Sequence, residues 1–143
     1  MSLFQALHTA GSSLRVQRTW MDAISDNIAN LNTVRPFDEV PFRARLVLAR
    51  SVDGTGASPL DPSGAVGEGA AVTGIAYGGD PQGRLVFDPS HPYANEQGLV
   101  RTPDIELGEQ MVQLLAAQRS YQANLAVVER ARDAYSAALS IGR

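Results

Sequence analysis

The chain has 143 residues, 12 basic and 15 acidic groups, a formal net charge of −3 and no cysteine. That length fits one domain, or one domain with extensions, and an apolar share of 44% beside 19% charged residues excludes a wholly disordered chain. The missing cysteine excludes disulfides, thiolate metal sites and a thiol nucleophile, and the acidic balance leaves no basic footprint for nucleic acid.

Every cation is Arg, which codon bias explains more simply than selection for Arg at interfaces. The start, Met1-Ser2-Leu3-Phe4-Gln5-Ala6-Leu7-His8, has no cationic stretch leading into a continuous apolar run, so no Sec-type signal is expected. No window approaches the ~18 consecutive apolar residues of a membrane helix, so no direct membrane insertion is expected.

Residues 1–35 carry apolar residues in a four-three rhythm through Leu3, Leu7, Ala10, Leu14, Gln17, Met21, Ile24, Ile28 and Leu31, with only Gln17 polar. That is the seam of a coiled coil, about 43 Å long if fully helical. Gly11-Ser12-Ser13 weakens its first third. The stripe ends at Asn30-Leu31-Asn32-Thr33, and Pro36 biases Arg35 away from helical torsions.

Residues 36–103 read as a small β-rich insert. Strands are expected at Phe42–Leu48, Ala71–Tyr77, Arg84–Phe87 and Gly98–Arg101, separated by Gly, Pro and Asp. A mobile Gly/Pro loop is expected at about 53–69. The insert is also the acidic part of the chain: residues 1–35 sum to +1, residues 36–103 to −3 and residues 104–143 to −1.

Residues 104–143 resume the four-three rhythm through Leu107, Met111, Leu114, Gln118, Tyr121, Leu125, Val128, Arg132, Tyr135 and Leu139. Small residues flank this stripe at Ala117, Ala131 and Ala138. Thr102-Pro103 fits an N-cap with proline in the first turn, and Gly142 fits the stop after Ile141.

The expected fold is therefore α+β, with long N- and C-terminal helices pairing as a coiled coil around the insert. Parallel and antiparallel pairing both remain open. Two helices alone bury one stripe each, and further apolar residues such as Leu115, Val127 and Ile141 widen the arc beyond one seam. A subunit completed by neighbouring molecules and a monomeric hairpin with an insert both satisfy this pattern.

The residues that carry the first helix, Gly11-Ser12-Ser13-Leu14-Arg15-Val16-Gln17 followed by Asp26-Asn27-Ile28-Ala29-Asn30-Leu31-Asn32-Thr33, resemble the N-terminal signature of the bacterial flagellar rod and hook proteins. Glu109-Gln110-Met111-Val112 with Arg119-Ser120-Tyr121-Gln122-Ala123-Asn124 is similar to that family's C-terminal helix. The short length, the closing Ile141-Gly142-Arg143 and the segment from Phe87-Asp88-Pro89-Ser90-His91-Pro92 to Gly98-Leu99-Val100 resemble a proximal rod member. Phe87 stands where that pattern has Tyr, and Leu99 where an aromatic is common.

The resemblance implies a structural subunit of the basal-body rod, in the periplasmic space, exported by the flagellar type III apparatus and stacked helically to carry torque from motor to hook. Its implied partners are copies of itself, other rod subunits, a rod-to-ring adaptor at the base and the export apparatus. It implies no cofactor, no metal and no enzymatic activity.

The expected assembly seam is Leu3, Leu7, Leu14, Met21, Ile24, Ile28, Leu31, Met111, Leu114, Tyr121, Leu125, Val128, Tyr135 and Leu139. Polar register contacts are expected from Gln17, Asn27, Asn30, Gln118, Arg119, Asn124 and Arg132. Asn27 and Asn30, one turn apart, are read as bonding to another chain, against the plainer reading of helix termination. Asp88 and His91 could form an acid–base pair, but Pro89 and Pro92 bracket them and a rigid turn is the simpler role. A soluble coiled-coil adaptor and a small enzyme using Asp88 and His91 are the alternatives.

Overall fold

The structure is a computed structural model that describes residues 3–52 and 67–141, with Leu3 described by its backbone alone. The expected mobile loop therefore lies outside the described residues, apart from positions 67–69. In chain order the elements are α1 (Leu3–Ala29), β1 (Ala44–Val52), β2 (Gly69–Gly78), β3 (Arg84–Phe87), β4 (Leu99–Thr102) and α2 (Leu107–Ile141). The architecture is α+β, two terminal helices flanking two two-stranded sheets, β1-β2 and β3-β4.

By contacts the chain forms two compact units. The first is Met1–Thr19, Leu48–Gly74 and Ala116–Arg143; the second is Trp20–Val47 and Ile75–Leu115. In the first unit, Phe4 rests edge-on against Tyr135 with ring centroids 6.0 Å apart. Further along α1, the Gln17 amide donates to Ser120 Oγ at 2.7 Å. As the α1 number rises the α2 number falls, so the two helices run antiparallel there, which settles the direction that periodicity left open.

α1 is helical because its apolar positions recur on one side and no proline interrupts it. It stops at Ala29 because Asn30 turns its side chain back: its backbone N–H and its Nδ2 both donate to the Asp26 carbonyl, at 3.1 and 2.9 Å. Leu31 N–H then closes a tighter turn onto Ile28 at 3.3 Å. Carbonyls that the helix end would leave unpaired are satisfied locally.

β1 and β2 are antiparallel. Glu68 N–H donates to Val52, Thr73 Oγ1 to Leu48 and Arg43 Nη2 to Tyr77, each to a carbonyl, with partners in reversed order. The start of β2 is tied to α1. Ser12 is buried; its Oγ donates to the Thr9 carbonyl at 2.7 Å and accepts the Ala70 N–H at 2.9 Å. His8 Nδ1 meets the Glu68 carbonyl at 3.1 Å.

Gly69 makes this approach possible. Its φ is +118°, and a Cβ there would lie 2.1 Å from Ser12 Oγ and 3.0 Å from Ser12 Cβ. Gly69→Ala combines backbone strain with overpacking and is expected to lower stability by about 2–4 kcal/mol, read from urea midpoints. Ser12→Ala in that background should not restore it, because Ser12 Cβ is itself too close. Full recovery in the double variant would show that the latch does not hold the strand.

β3 and β4 pair antiparallel from Arg84↔Thr102 to Phe87↔Leu99. Thr102 therefore belongs to a strand, with its Oγ1 3.4 Å from the Arg84 carbonyl, and is not the helix N-cap expected from Thr102-Pro103. Pairing with β3 outcompetes the capping propensity. α2 begins later, at Leu107, with the Gln110 N–H reaching the Glu106 carbonyl at 3.1 Å. Asp104 instead turns toward the β3 side, its Oδ1 3.2 Å from Arg84 Nε.

The core is thin. Among the described residues the largest fully buried side chains are Ile24, Val100 and Asn27, and much of the rest of the buried set is alanine. At about 1.5–3 kcal/mol for each fully buried large side chain, so few of them leave little margin over the ordering entropy.

Candidate assembly surface

α1 presents its expected stripe inward. Ala10, Gln17 and Ile24 are buried, and Leu7, Leu14, Met21, Ile28 and Leu31 are half-buried. The side chain of Leu3 lies outside the description.

α2 behaves differently. Gln110, Leu114, Ala117, Tyr121, Asn124, Val128 and Ala131 form its main buried and half-buried stripe, with Gln113 and Ala126 half-buried beside it. This is again a four-three rhythm. It shares Leu114, Tyr121 and Val128 with the expected seam, but the alternate positions are shifted by one residue. Met111, Leu125, Tyr135 and Leu139 are exposed, as are Gln118 and Arg132. The reason is size and polarity: Ala117 is 0% exposed, and small residues and amides permit close helix approach where Met or Leu would hold the helices apart. Alongside them Val112, Leu115 and Val127 are also exposed, so α2 keeps apolar bulk on more than one side.

The polar positions fall into three groups. Asn27 is 1% exposed and fully engaged inside the chain. Its Nδ2 donates to the Arg45 carbonyl at 3.1 Å and to Gln110 Oε1 at 3.0 Å, while its Oδ1 accepts the Arg45 N–H at 2.8 Å. Both amide hydrogens are spent, so the expected bond to another chain is corrected: Asn27 sets the register among α1, β1 and α2 of one polypeptide. Asp26 adds an exposed ion pair to Arg45 at 2.5 Å.

Asn30 is likewise local. Its Nδ2 caps the Asp26 carbonyl and its Oδ1 accepts from Thr33 Oγ1 at 3.2 Å, so within the chain Asn30 terminates the helix. Gln17 is bonded to Ser120 through Nε2, yet its buried Oε1 has no partner among the described residues. Asn124 is half-buried, whereas Gln118, Arg119 and Arg132 are exposed. None of these four makes a hydrogen bond or ion pair among the described residues.

The Asp88 and His91 side chains are not paired with each other; only the His91 N–H meets the Asp88 carbonyl, at 3.2 Å. Asp88 Oδ1 accepts the Ser90 N–H and Oγ–H at 3.2 and 2.7 Å, and His91 Nδ1 accepts the Tyr93 N–H at 3.1 Å. Asn95 Oδ1 closes the segment by accepting from Gln97 and Leu99. At Gly98, with φ +74°, a Cβ would fall 2.9 Å from Pro89 and 3.0 Å from the Phe87 ring. The side chains of this segment build a rigid hairpin loop. Among the described residues no group of three or more His, Asp or Glu is placed to hold a metal ion.

Two family models match the chain where these helices lie: one described as flagella basal body rod protein over residues 7–36, the other as flagellar basal body rod FlgEFG protein C-terminal over residues 96–141. Full-length similarity is decisive. The flagellar basal-body rod protein FlgC of Bacillus subtilis is 34% identical over the whole of both chains. That of Borreliella burgdorferi is 33% identical over 99% of this chain and 98% of its own, and that of Salmonella typhimurium 31% over the whole of both.

The chain belongs to the FlgC family of flagellar basal-body rod proteins.

In this FlgC relative the first model covers α1 from Leu7 and its cap at Asn30, and the second covers β4 and α2. Sequence reasoning missed two contacts that organise these segments, Asn27 with Arg45 and Gln110, and Ser12 with Ala70. The seven-residue spacing of Gln110, Ala117, Asn124 and Ala131 was the available signal for the first. Nothing in the local pattern announced the second.

Proposed function

We propose that the chain is a structural subunit of the proximal rod of the flagellar basal body, stacked helically with copies of itself and other rod proteins so that torque passes from motor to hook. The observation that carries this reading is uncovered apolar surface on a chain whose full-length relatives are rod proteins. Met111, Leu115 and Leu139 on α2, Leu48 and Ile75 on the β1-β2 sheet, and Phe87 on β3 are all exposed. Large exposed apolar surface marks an interface. A contact of one face on a different face of the next copy propagates instead of closing.

The rod-to-ring adaptor at the base and the type III export apparatus complete the proposed partners, and the periplasmic space is the proposed location. No described helix is long and apolar enough to cross a membrane. The chain's role is mechanical and not catalytic: Asp88 and His91 are engaged in local turns.

Complementation tests the reading. Cells deleted for their own copy should lack filaments and regain them with this chain, and side-chain-resolution density of isolated basal bodies should contain it in the rod. Normal filaments in the deletion strain would overturn it.

A further inference from the structure

α1 holds a half-buried glycine whose small size no described residue requires. Gly11 sits within a 27-residue helix, and a Cβ built there would meet nothing within 4 Å. After proline, glycine is the poorest helix former, and no contact among the described residues requires its small size. One and two turns on, Arg15 and Arg18 are exposed and belong to no ion pair among the described residues. Like charges at this spacing repel.

α2 carries the opposite pattern in the same compact unit. Glu129 and Asp133 are exposed, one turn apart and free of ion pairs among the described residues. At 3.6 residues per turn they form an acidic ridge, with Arg130 and Arg132 to either side. Ala137 continues that ridge one turn further and is exposed.

We infer that α1 of one copy docks antiparallel on α2 of a second copy, with Arg15 and Arg18 against Asp133 and Glu129 and Gly11 against Ala137. To within one residue a single antiparallel register aligns all three pairs. Each like-charged pair is then relieved by the other, and the two small residues let the backbones approach. α1 and α2 are antiparallel within one copy, so this contact keeps neighbouring copies pointing the same way. It joins different surfaces, as a propagating assembly requires. Such charge pairs fix partner and register more than they add affinity. The inference rests on the rod reading and adds the occupant and the register.

The test exploits the absence of native cysteine. Arg18→Cys with Glu129→Cys, expressed in cells deleted for the natural copy and oxidised, should give a ladder of dimers and higher multimers that collapses on reduction. Each single cysteine should give no ladder. Basal bodies that contain the doubly substituted chain without any linked product would overturn the docking while leaving the rod reading standing. Failure of the unsubstituted chain to restore basal bodies would overturn both.

A charge swap supplies the second measurement. R15E with R18E, and separately E129R with D133R, should each cut the number of assembled rods by roughly tenfold, and the four changes together should recover to within about twofold. Circular dichroism of each purified variant should match the parent, since these side chains have no ion pair among the described residues to lose. No recovery in the fourfold variant would overturn the proposed pairing. Gly11→Leu should leave the free chain at least as helical as the parent yet block assembly; normal assembly in that variant would also overturn it.

Discussion

Asn27→Ala is expected to destabilise the chain by about 2–4 kcal/mol, because it strands one buried and two part-buried polar groups at about 1–3 kcal/mol each without fully adding. The Arg45 N–H, the Arg45 carbonyl and Gln110 Oε1 all lose the partner that Asn27 supplies. The two amides are shielded from water, with Asn27 at 1% and Gln110 at 3% exposure, while Arg45 is half-buried. The midpoint of thermal unfolding should fall by roughly 10–20 °C.

Asn27→Asp separates shape from hydrogen bonding. It keeps the acceptor for the Arg45 N–H but sets a carboxylate oxygen against the Arg45 carbonyl and Gln110 Oε1, and it buries a charge. It should be as damaging as alanine or more so. Gln110→Ala removes one acceptor and leaves one donor unpaired, and should cost about 1–2 kcal/mol. A mild Asn27→Ala, near the cost of an exposed substitution, would mean that the network closes only in the assembled rod.

This network also marks where sequence reading succeeded and stopped. The stripe of α1 was legible because its inward positions are large and apolar over most of its length, so hydrophobic periodicity and burial coincide. On α2 they diverge: Met111 and Leu125 read as seam but face outward, while Ala117 and Ala131 are buried. A count of apolar residues cannot distinguish a face that packs within the chain from one kept for another molecule, and α2 has both. The shared positions Leu114, Tyr121 and Val128 lie on the boundary between the two faces.

Other differences come from tertiary pairing overriding local signals. Thr102-Pro103 carries capping chemistry, but Thr102 is held by β3, a partner set by the hairpin and not by its sequence neighbours. Asn27 and Asn30 look alike in sequence, one turn apart. One lies inside α1 facing β1 and α2, while the other begins the exit from the helix, and their partners follow from that placement. The loop at 88–98 was more legible because Asp, His and Asn act on backbone only two to four residues away.

Truncation after Arg130 has the largest expected functional effect, the loss of rod assembly with the second compact unit intact. The cut removes Ala131, which is 8% exposed, and Tyr135, on which Phe4 rests at 6.0 Å. The first turns of α1 then lose the helix they pack on, and Gly11 leaves that segment with poor propensity of its own. Leu139 and Ile141, at 58% and 84% exposure, lie past the first described turn of α1 and are removed too, together with Asp133 and Ala137. Circular dichroism should show a loss of helix greater than the excised residues account for. Amide exchange around Asn27 and Arg45 should be unchanged, since their partners lie at residues 20–47 and 75–115. The truncated chain should still be secreted while cells form no rods. Rods of normal length from it would show that the end of α2 contributes neither to α1 nor to the neighbouring subunit.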